Sequence, residues 1–290
     1  MTADTTAAVP SGAAVPAPGI YDIPASVYHA DKTSLSSTGA RKLLPPSCPA
    51  KFRYEQDHPQ PRKKEFDFGT AAHQMILGSG PELVVVEVAN WKTKESQAER
   101  ETIYARGAIP LLPQEFEQVK AMAKALREHP VAGALFAEGS GVAEQSLYWR
   151  DRQTGVTRRA RPDWLPYAHQ GRLIVPDYKT TRDASEAALT KAIYDYGYFQ
   201  QGAWYLDGVL SLGLADDAAF LLVFQEKTPP YLVNVVELHA VALRFGRELN
   251  RRALEIFAEC SESGVWPGYG DDIKYLSLPP WAEKQLEEML

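Results

Sequence analysis

The stretch Arg161-Pro162-Asp163-Trp164, followed after a short gap by Ile174-Val175-Pro176-Asp177-Tyr178-Lys179-Thr180, decides how this 290-residue chain is read. The second run is apolar and β-branched and reads as a strand, so Asp177 and Lys179, two residues apart, leave the same face. Asp163 lies on the preceding apolar-flanked run. A hairpin between the two runs would bring the carboxylates together, which is costly unless a cation neutralises them. A divalent ion answers that need: Mg2+ or Mn2+ takes oxygen ligands from one or two carboxylates and leaves positions for water and phosphate. Lys179 then has a phosphate to stabilise. An aspartate at the end of a strand is more often a turn or capping residue than a ligand, so the rest of the chain has to decide.

Composition narrows the classes. The apolar share, 45%, suits a globular core. No run of about 18 apolar residues is present, which argues against a membrane helix. Residues 1–18, rich in Ala, Pro and Thr, lack a basic start and an apolar middle and read as a disordered tail. Two cysteines, Cys48 and Cys260, cannot build a four-thiolate cluster or a disulfide scaffold, and a reducing cytoplasm, that of a bacterial host cell, is the expected location. The net charge of -6 argues against a general nucleic-acid coat protein. Local basic clusters nevertheless stand out at Arg62-Lys63-Lys64, at Arg150 and Arg152, and at Arg158, Arg159 and Arg161.

Taken in order, Gly19 to Ile23 reads as extended, Ser34 to Ser37 offer caps for a short helix stopped by Pro45-Pro46, and Pro49 starts another. These helices carry few apolar residues and are expected to form a rim or lid on a larger body. Phe66 to Gly78 has helical apolar spacing, with Gly69, Ala71 and Ala72 allowing close approach to a neighbouring element. His73 on that helix reads by itself as a hydrogen-bonded core histidine more readily than as a ligand. Leu83 to Val88 reads as a strand, and residues 96–106 and 113–128 as helices. Three strand-like runs then follow, 142–150, 156–165 and 172–179, with a turn at Asp151 to Gly155. Alternation places Glu144, Ser146 and Tyr148 on one face, and three adjacent strands would carry Glu144, Asp163, Asp177 and Lys179. Residues 184–194 and 198–212 read as helices broken near Gly197, with Gln201 and Tyr205 on one face of the second. A hairpin around Pro229-Pro230, a long amphipathic helix over 241–262 and a short one from Pro280 complete the chain. The tail, with Trp266, Tyr269 and Trp281, is expected to dock on this body or on a neighbouring subunit. The expected architecture is one mixed α/β domain over residues 19–290 with a helical N-terminal elaboration.

The ordered set Gly69-Thr70-Ala71-Ala72-His73, Glu144, Arg161-Pro162-Asp163, Asp177-Tyr178-Lys179-Thr180 and Gln201-Gly202-Ala203-Trp204-Tyr205 resembles the PD-(D/E)xK nuclease superfamily. Within it, the set is most similar to the RecE-type, exodeoxyribonuclease VIII-like exonucleases of phages and prophages. The likeness runs from about Gly19 to Gly264 and includes Ser34-Leu35-Ser36-Ser37 and Pro49-Ala50-Lys51-Phe52. It implies a central mixed sheet flanked by helices. It also implies His73, Glu144, Asp163 and Asp177 around Mg2+ or Mn2+, Lys179 positioning the attacking water, and Gln201 and Tyr205 supporting the site and touching the DNA backbone. Such enzymes digest linear double-stranded DNA without ATP, from the 5' strand. They leave a 3' overhang for a RecT-like single-strand annealing protein and work as ring-shaped homo-oligomers. Pro176 departs from the usual apolar run into the acid; it forfeits a backbone donor and favours an edge strand or a bulge. Two other readings keep the fold: an endonuclease, or a helicase-associated or CRISPR-adaptation nuclease, and a catalytically silent DNA-end-binding module.

Overall fold

The computed structural model describes residues 16–58, 67–167 and 171–290. The expected tail therefore falls largely outside the described residues, as do the Arg62-Lys63-Lys64 cluster and Phe66. In chain order the first part comprises β1 (Gly19–Tyr21), α1 (Ala25–Ala30), β2 (Leu35–Ser36), α2 (Ser37–Lys42), α3 (Pro49–Asp57) and α4 (Asp67–Leu77). Next come β3 (Leu83–Val85), α5 (Lys94–Ala105), β4 (Ile109–Leu111), α6 (Pro113–Glu128) and α7 (Pro130–Leu135). The strands β5 (Gly141–Ala143), β6 (Ser146–Arg150), β7 (Thr157–Ala160), β8 (Trp164–Pro166) and β9 (Leu173–Thr181) follow. The chain ends with α8 (Glu186–Asp195), α9 (Tyr198–Ser211), β10 (Ala218–Glu226), β11 (Val233–Glu237), α10 (Ala240–Ser263) and α11 (Pro280–Glu287).

The centre is a sheet in the order β11-β10-β9. β9 and β10 run parallel, with Asp177 opposite Leu222, and β10 and β11 run antiparallel. The parallel step requires a crossover, which α8 and α9 supply. Alternation along β9 and β10 sorts their side chains between two cores. Leu173, Val175, Phe220, Leu222 and Phe224 join the core built on α9 and α10, whereas Tyr178 and Val223 join the core under α4 and α6. A second sheet, β1-β6-β7-β2, closes the first core with Leu147, Trp149 and Ala160. Local signals place the helices as read. Ser36 Oγ accepts from Gly39 N (3.1 Å) at the start of α2. At the start of α6, Leu112 N donates to Glu115 Oε2 (2.7 Å) and Pro113 occupies the first turn. Phe52, Leu43 and Leu44 sink into the first core, so α2 and α3 lean on the body as expected.

The three adjacent strands are corrected in two respects. Residues 142–150 do not form one strand: Glu144 adopts φ +58°, which turns the chain between β5 and β6 and removes Glu144 from the face of Ser146 and Tyr148. Residues 156–165 likewise break at Arg161-Pro162-Asp163, where Pro162 has no N–H for a ladder. β5 and β8 pair with each other, with Ala143 opposite Trp164, and β6 and β7 form the hairpin around Asp151 to Gly155. The last run, β9, pairs with β10 and not with the second, so no hairpin joins Asp163 to Asp177. β9 is the edge of its sheet, where Pro176 is tolerated.

Candidate active site

Glu144 and Asp163 lie where the paired strands β5 and β8 diverge toward the second sheet, and Glu144 N donates to the Asp163 carbonyl (3.2 Å) across that fork. β8 packs beside the free edge of β9. Pro176 and Tyr178 are two apart and direct their backbone nitrogens to that same edge. Pro176 offers no donor, and Tyr178 N donates to Asp163 Oδ2 (2.7 Å). The two aspartates thus meet through a side chain docked on a strand edge rather than through a hairpin. The Tyr178 hydroxyl anchors the other face by donating to Gln225 Oε1 (2.7 Å).

Asp177 and Lys179 leave the α9 face of β9 as a pair, and the Lys179 ammonium contacts Asp177 Oδ2. Gln201 Nε2, from α9, donates to Asp177 Oδ1 (2.9 Å), and the Tyr205 hydroxyl one turn on donates to the Arg161 carbonyl (3.1 Å). His73 arrives from the opposite side. α4 packs on the Tyr178 face, close enough that a Cβ on Gly69 would stand 3.2 Å from Thr180 Oγ1. The imidazole then reaches past the open edge, with Nε2 3.2 Å from Asp163 Oδ1 and 3.5 Å from Glu144 Oε1. A strand paired on both sides would have blocked that route.

Charge follows geometry. Burial and the neighbouring Asp163 push the Asp177 carboxyl above the usual carboxylate range, against the pull of Lys179. Asp163 is pulled below it: burial opposes ionisation, but His73, Lys179 and the Tyr178 N–H outweigh it. Lys179 is held charged, because Asp177 and Asp163 overcome the cost of burial. His73 is likewise raised by Asp163 and Glu144 despite its burial.

Ligand atoms of His73, Glu144 and Asp163 all lie within 4.8 Å of one another, the group among the described residues suited to a metal ion. One imidazole and two carboxylates facing a common point, balanced here by the imidazole itself, fit a divalent ion that keeps open positions. Asp177, also expected as a ligand, lies beside that trio and is engaged by Lys179 and Gln201. Gln201 and Tyr205 are both buried, holding the site together from α9.

Sequence reading placed Arg161 in its motif and in a basic cluster but gave it no part in holding the site. Its Nε contacts Glu144, and its Nη1 donates to Ser146 Oγ (2.8 Å) and the Ile23 carbonyl (2.9 Å). No periodic signal marks it, since it sits in the break before Pro162. Two cavities flank the site. One, of about 730 Å3, is bounded by α1 to α3 and reaches Asp163 and Tyr205; the other, of about 1210 Å3, exposes His73, Lys179 and Thr180. His29, Glu144 and Arg161 line both.

The basic reading of Arg158 and Arg159 is corrected. The Arg158 guanidinium lies 4.8 Å from the Trp149 ring and 4.0 Å from that of Trp204, with Asp207 Oδ2 at 3.1 Å. Arg159 pairs with Asp31 (3.4 Å) and donates to Ser34 Oγ (2.8 Å). Both are buried, so they tie core to rim and present no basic surface.

A family described as a PDDEXK-like domain of unknown function, DUF3799, matches residues 36–279, and the chain belongs to that family. The fold is also that of a solved protein of Eubacterium rectale bearing the name "putative exonuclease". The TM-score is 0.62 at 12% identity, over 88% of this chain and 96% of that one. A second solved protein, SSO0001, aligns at TM-score 0.35 and 13% identity over 77% of each chain; it carries no weight here. None of the curated proteins matches this chain. The mixed sheet flanked by helices is thus the PD-(D/E)xK fold.

Proposed function

We propose that this chain is a divalent-metal-dependent nuclease that hydrolyses phosphodiester bonds in DNA. More narrowly, it is an ATP-independent exonuclease that digests linear duplexes 5' to 3', in the cytoplasm of a bacterial host. The observation that carries the reading is the convergence of His73, Glu144 and Asp163 from three separate segments within 4.8 Å, beside the Asp177–Lys179 pair. His73, Glu144 and Asp163 would hold the ion, with Asp177 adjoining, and Mg2+ or Mn2+ suits the carboxylates. Such an ion supplies charge neutralisation for a phosphate and a lowered pKa for the attacking water.

The remaining work falls to the chain itself. Lys179, fixed by Asp177, places a permanent ammonium where charge develops on the attacked phosphate, and it orients the water. Gln201 holds the carboxylate that holds the lysine, and Arg161 fixes Glu144. The 3' strand left behind would pass to a RecT-like annealing protein, and a ring of subunits would keep an acidic chain on its substrate by topology rather than by charge. No helix among the described residues is long and apolar enough to cross a membrane.

Linear and closed circular duplexes, each incubated with and without Mg2+ or Mn2+, test the reading. Metal-dependent loss of the linear form alone is the expected result. Cutting of circles would replace the exonuclease with an endonuclease, and an absence of cleavage under all conditions would overturn the nuclease altogether.

A further inference from the structure

Between α2 and the turn joining α8 to α9 lies a groove of about 760 Å3. It shares Thr38 and Lys42 with the cavity that reaches Asp163 and Glu144, so the two openings adjoin along α2. Arg41 lines the groove with no carboxylate in ion-pair contact among the described residues, and Asp177 acts on it only at longer range. Its Nε is buried with no hydrogen-bond partner, and the side-chain bond its guanidinium makes is a long one, Nη2 to Thr38 Oγ1 at 3.4 Å. Its stem crosses Gly197, where a Cβ would stand 2.6 Å from Arg41 Cδ and where the backbone holds φ +63°. The left-handed backbone favours glycine there, and a side chain in its place would have to shift the Arg41 stem. The carboxylate in the lining, Asp195, is neutralised by Lys191, and Lys42 by Glu55. The charge left over in the groove is that of Arg41.

Two aromatic rings stand at its mouth. Tyr194 is 77% exposed and Tyr196 61%. The Tyr196 ring lies 5.6 Å from that of Tyr198, and Lys179 Nζ lies 5.6 Å from the centre of the Tyr198 ring. Aromatic faces thus lead from the surface to the lysine of the site. An unpaired cation flanked by exposed rings matches the chemistry of an unpaired nucleic-acid strand, whose bases have free faces for stacking; in a duplex those faces are already stacked.

Resting on the nuclease reading of the site, we propose that this groove binds single-stranded DNA, with bases stacked on Tyr194 and Tyr196 and a phosphate on Arg41. Digestion of one strand from a duplex end leaves its complement unpaired beside Asp163. The groove gives that complement a path away from the site along α2.

The test is fluorescence anisotropy of labelled oligo(dT) and of a blunt duplex, with the full chain in EDTA so that nothing is cut. Both tyrosines project from the surface, so Tyr194→Ala/Tyr196→Ala leaves the core intact. The double variant is expected to bind oligo(dT) about tenfold or more weakly and the blunt duplex unchanged. Equal oligo(dT) affinity in the double variant and the parent would overturn the proposal. So would a lower sedimentation mass for the variant, which would make the groove a contact between copies of the chain. The readout is binding, so it separates from the nuclease reading. Tyrosine-dependent oligo(dT) binding by a chain that degrades no DNA would sink the nuclease and keep the groove. Digestion with unchanged oligo(dT) affinity would do the reverse.

Discussion

At the scale of single residues, Lys179 separates what sequence could and could not tell. Its pairing with Asp177 follows from strand alternation alone. A lysine two residues past an acid nevertheless reads as surface-facing, whereas here its side chain is only 22% exposed, packed between Asp177 and Tyr198. Lys179→Ala is therefore expected to lower the hydrolysis rate by at least ~100-fold and also to cost about 1–3 kcal/mol of stability, because Asp177 loses its partner in a buried setting. Single-turnover kinetics and chemical denaturation of the same variant check both halves. The donor trio makes a second expectation. By calorimetry, Asp163→Asn, Glu144→Gln and His73→Ala should each weaken Mn2+ binding more than Asp177→Asn does, since Asp177 is committed to Lys179 and Gln201. Equal losses across all four would place Asp177 among the ligands on the same footing. Motif order named these side chains; the charge pattern set Arg158, Arg159 and Arg161 together as a basic cluster, whereas the first two are buried and Arg161 is committed to Glu144, Ser146 and Ile23.

At the scale of elements, the longer helices were legible because their caps and spacing are local, whereas the six-residue helices α1 and α7 were not read at all, and the strands were misjudged where tertiary geometry decided. Nothing in Ala143-Glu144-Gln145 announces a left-handed backbone at a glutamate, yet φ +58° at Glu144 splits one run into β5 and β6 and sets the acid at the fork. Pro176 was the informative departure, because an edge strand is what opens the route for His73. The approach of α4 to β9 depends on Gly69. Gly69→Val is accordingly expected to push the helix outward and weaken Mn2+ binding although no ligand is touched, as calorimetry will show; unchanged affinity would mean that the contact with Thr180 is slack. A second element-level link joins the β6–β7 turn to α10. Asp151 accepts from both Arg251 guanidinium nitrogens at 2.8 Å and from Thr154 N at 2.9 Å. Burial would raise its carboxyl, but Arg251 and the Thr154 donors hold it well below the usual range. A folded-state value below the unfolded one means that this stabilisation is complete above about pH 4 and is lost as pH falls further. Asp151→Asn should thus be less stable than the parent at pH 6, with the gap narrowing steadily below about pH 4 but still open at about pH 2 in urea titrations.

At the scale of the whole molecule, two cores on either face of β9 and β10 converge on one strand edge, and both cavities open there. The C-terminal segment divides in two. Trp266 packs 5.7 Å from Phe52 and 5.9 Å from Phe257, Ala50 N donates to the Pro267 carbonyl (3.1 Å), and Tyr269 bonds the Pro46 carbonyl (3.2 Å). Beyond it, Ile273, Tyr275 and Leu276 are exposed and α11 buries none of its residues. The sequence expectation that the tail docks on this body holds for that first half. Truncation after Gly270 should leave Tm within about 2 °C of the parent, whereas truncation after Gly264 should lower it by roughly 4 °C or more, because it strips the Trp266 contact from α3.

The most direct test of the proposed metal-dependent site is the rate at which end-labelled linear duplex is degraded in Mn2+ by the parent chain and by Asp163→Asn, each shown to be folded. The expected result is rapid loss of label by the parent and a fall of about 1000-fold or more in the variant. Equal rates in the two proteins would contradict the account, because no hydrolysis routed through His73, Glu144 and Asp163 could survive the loss of the carboxylate at their centre.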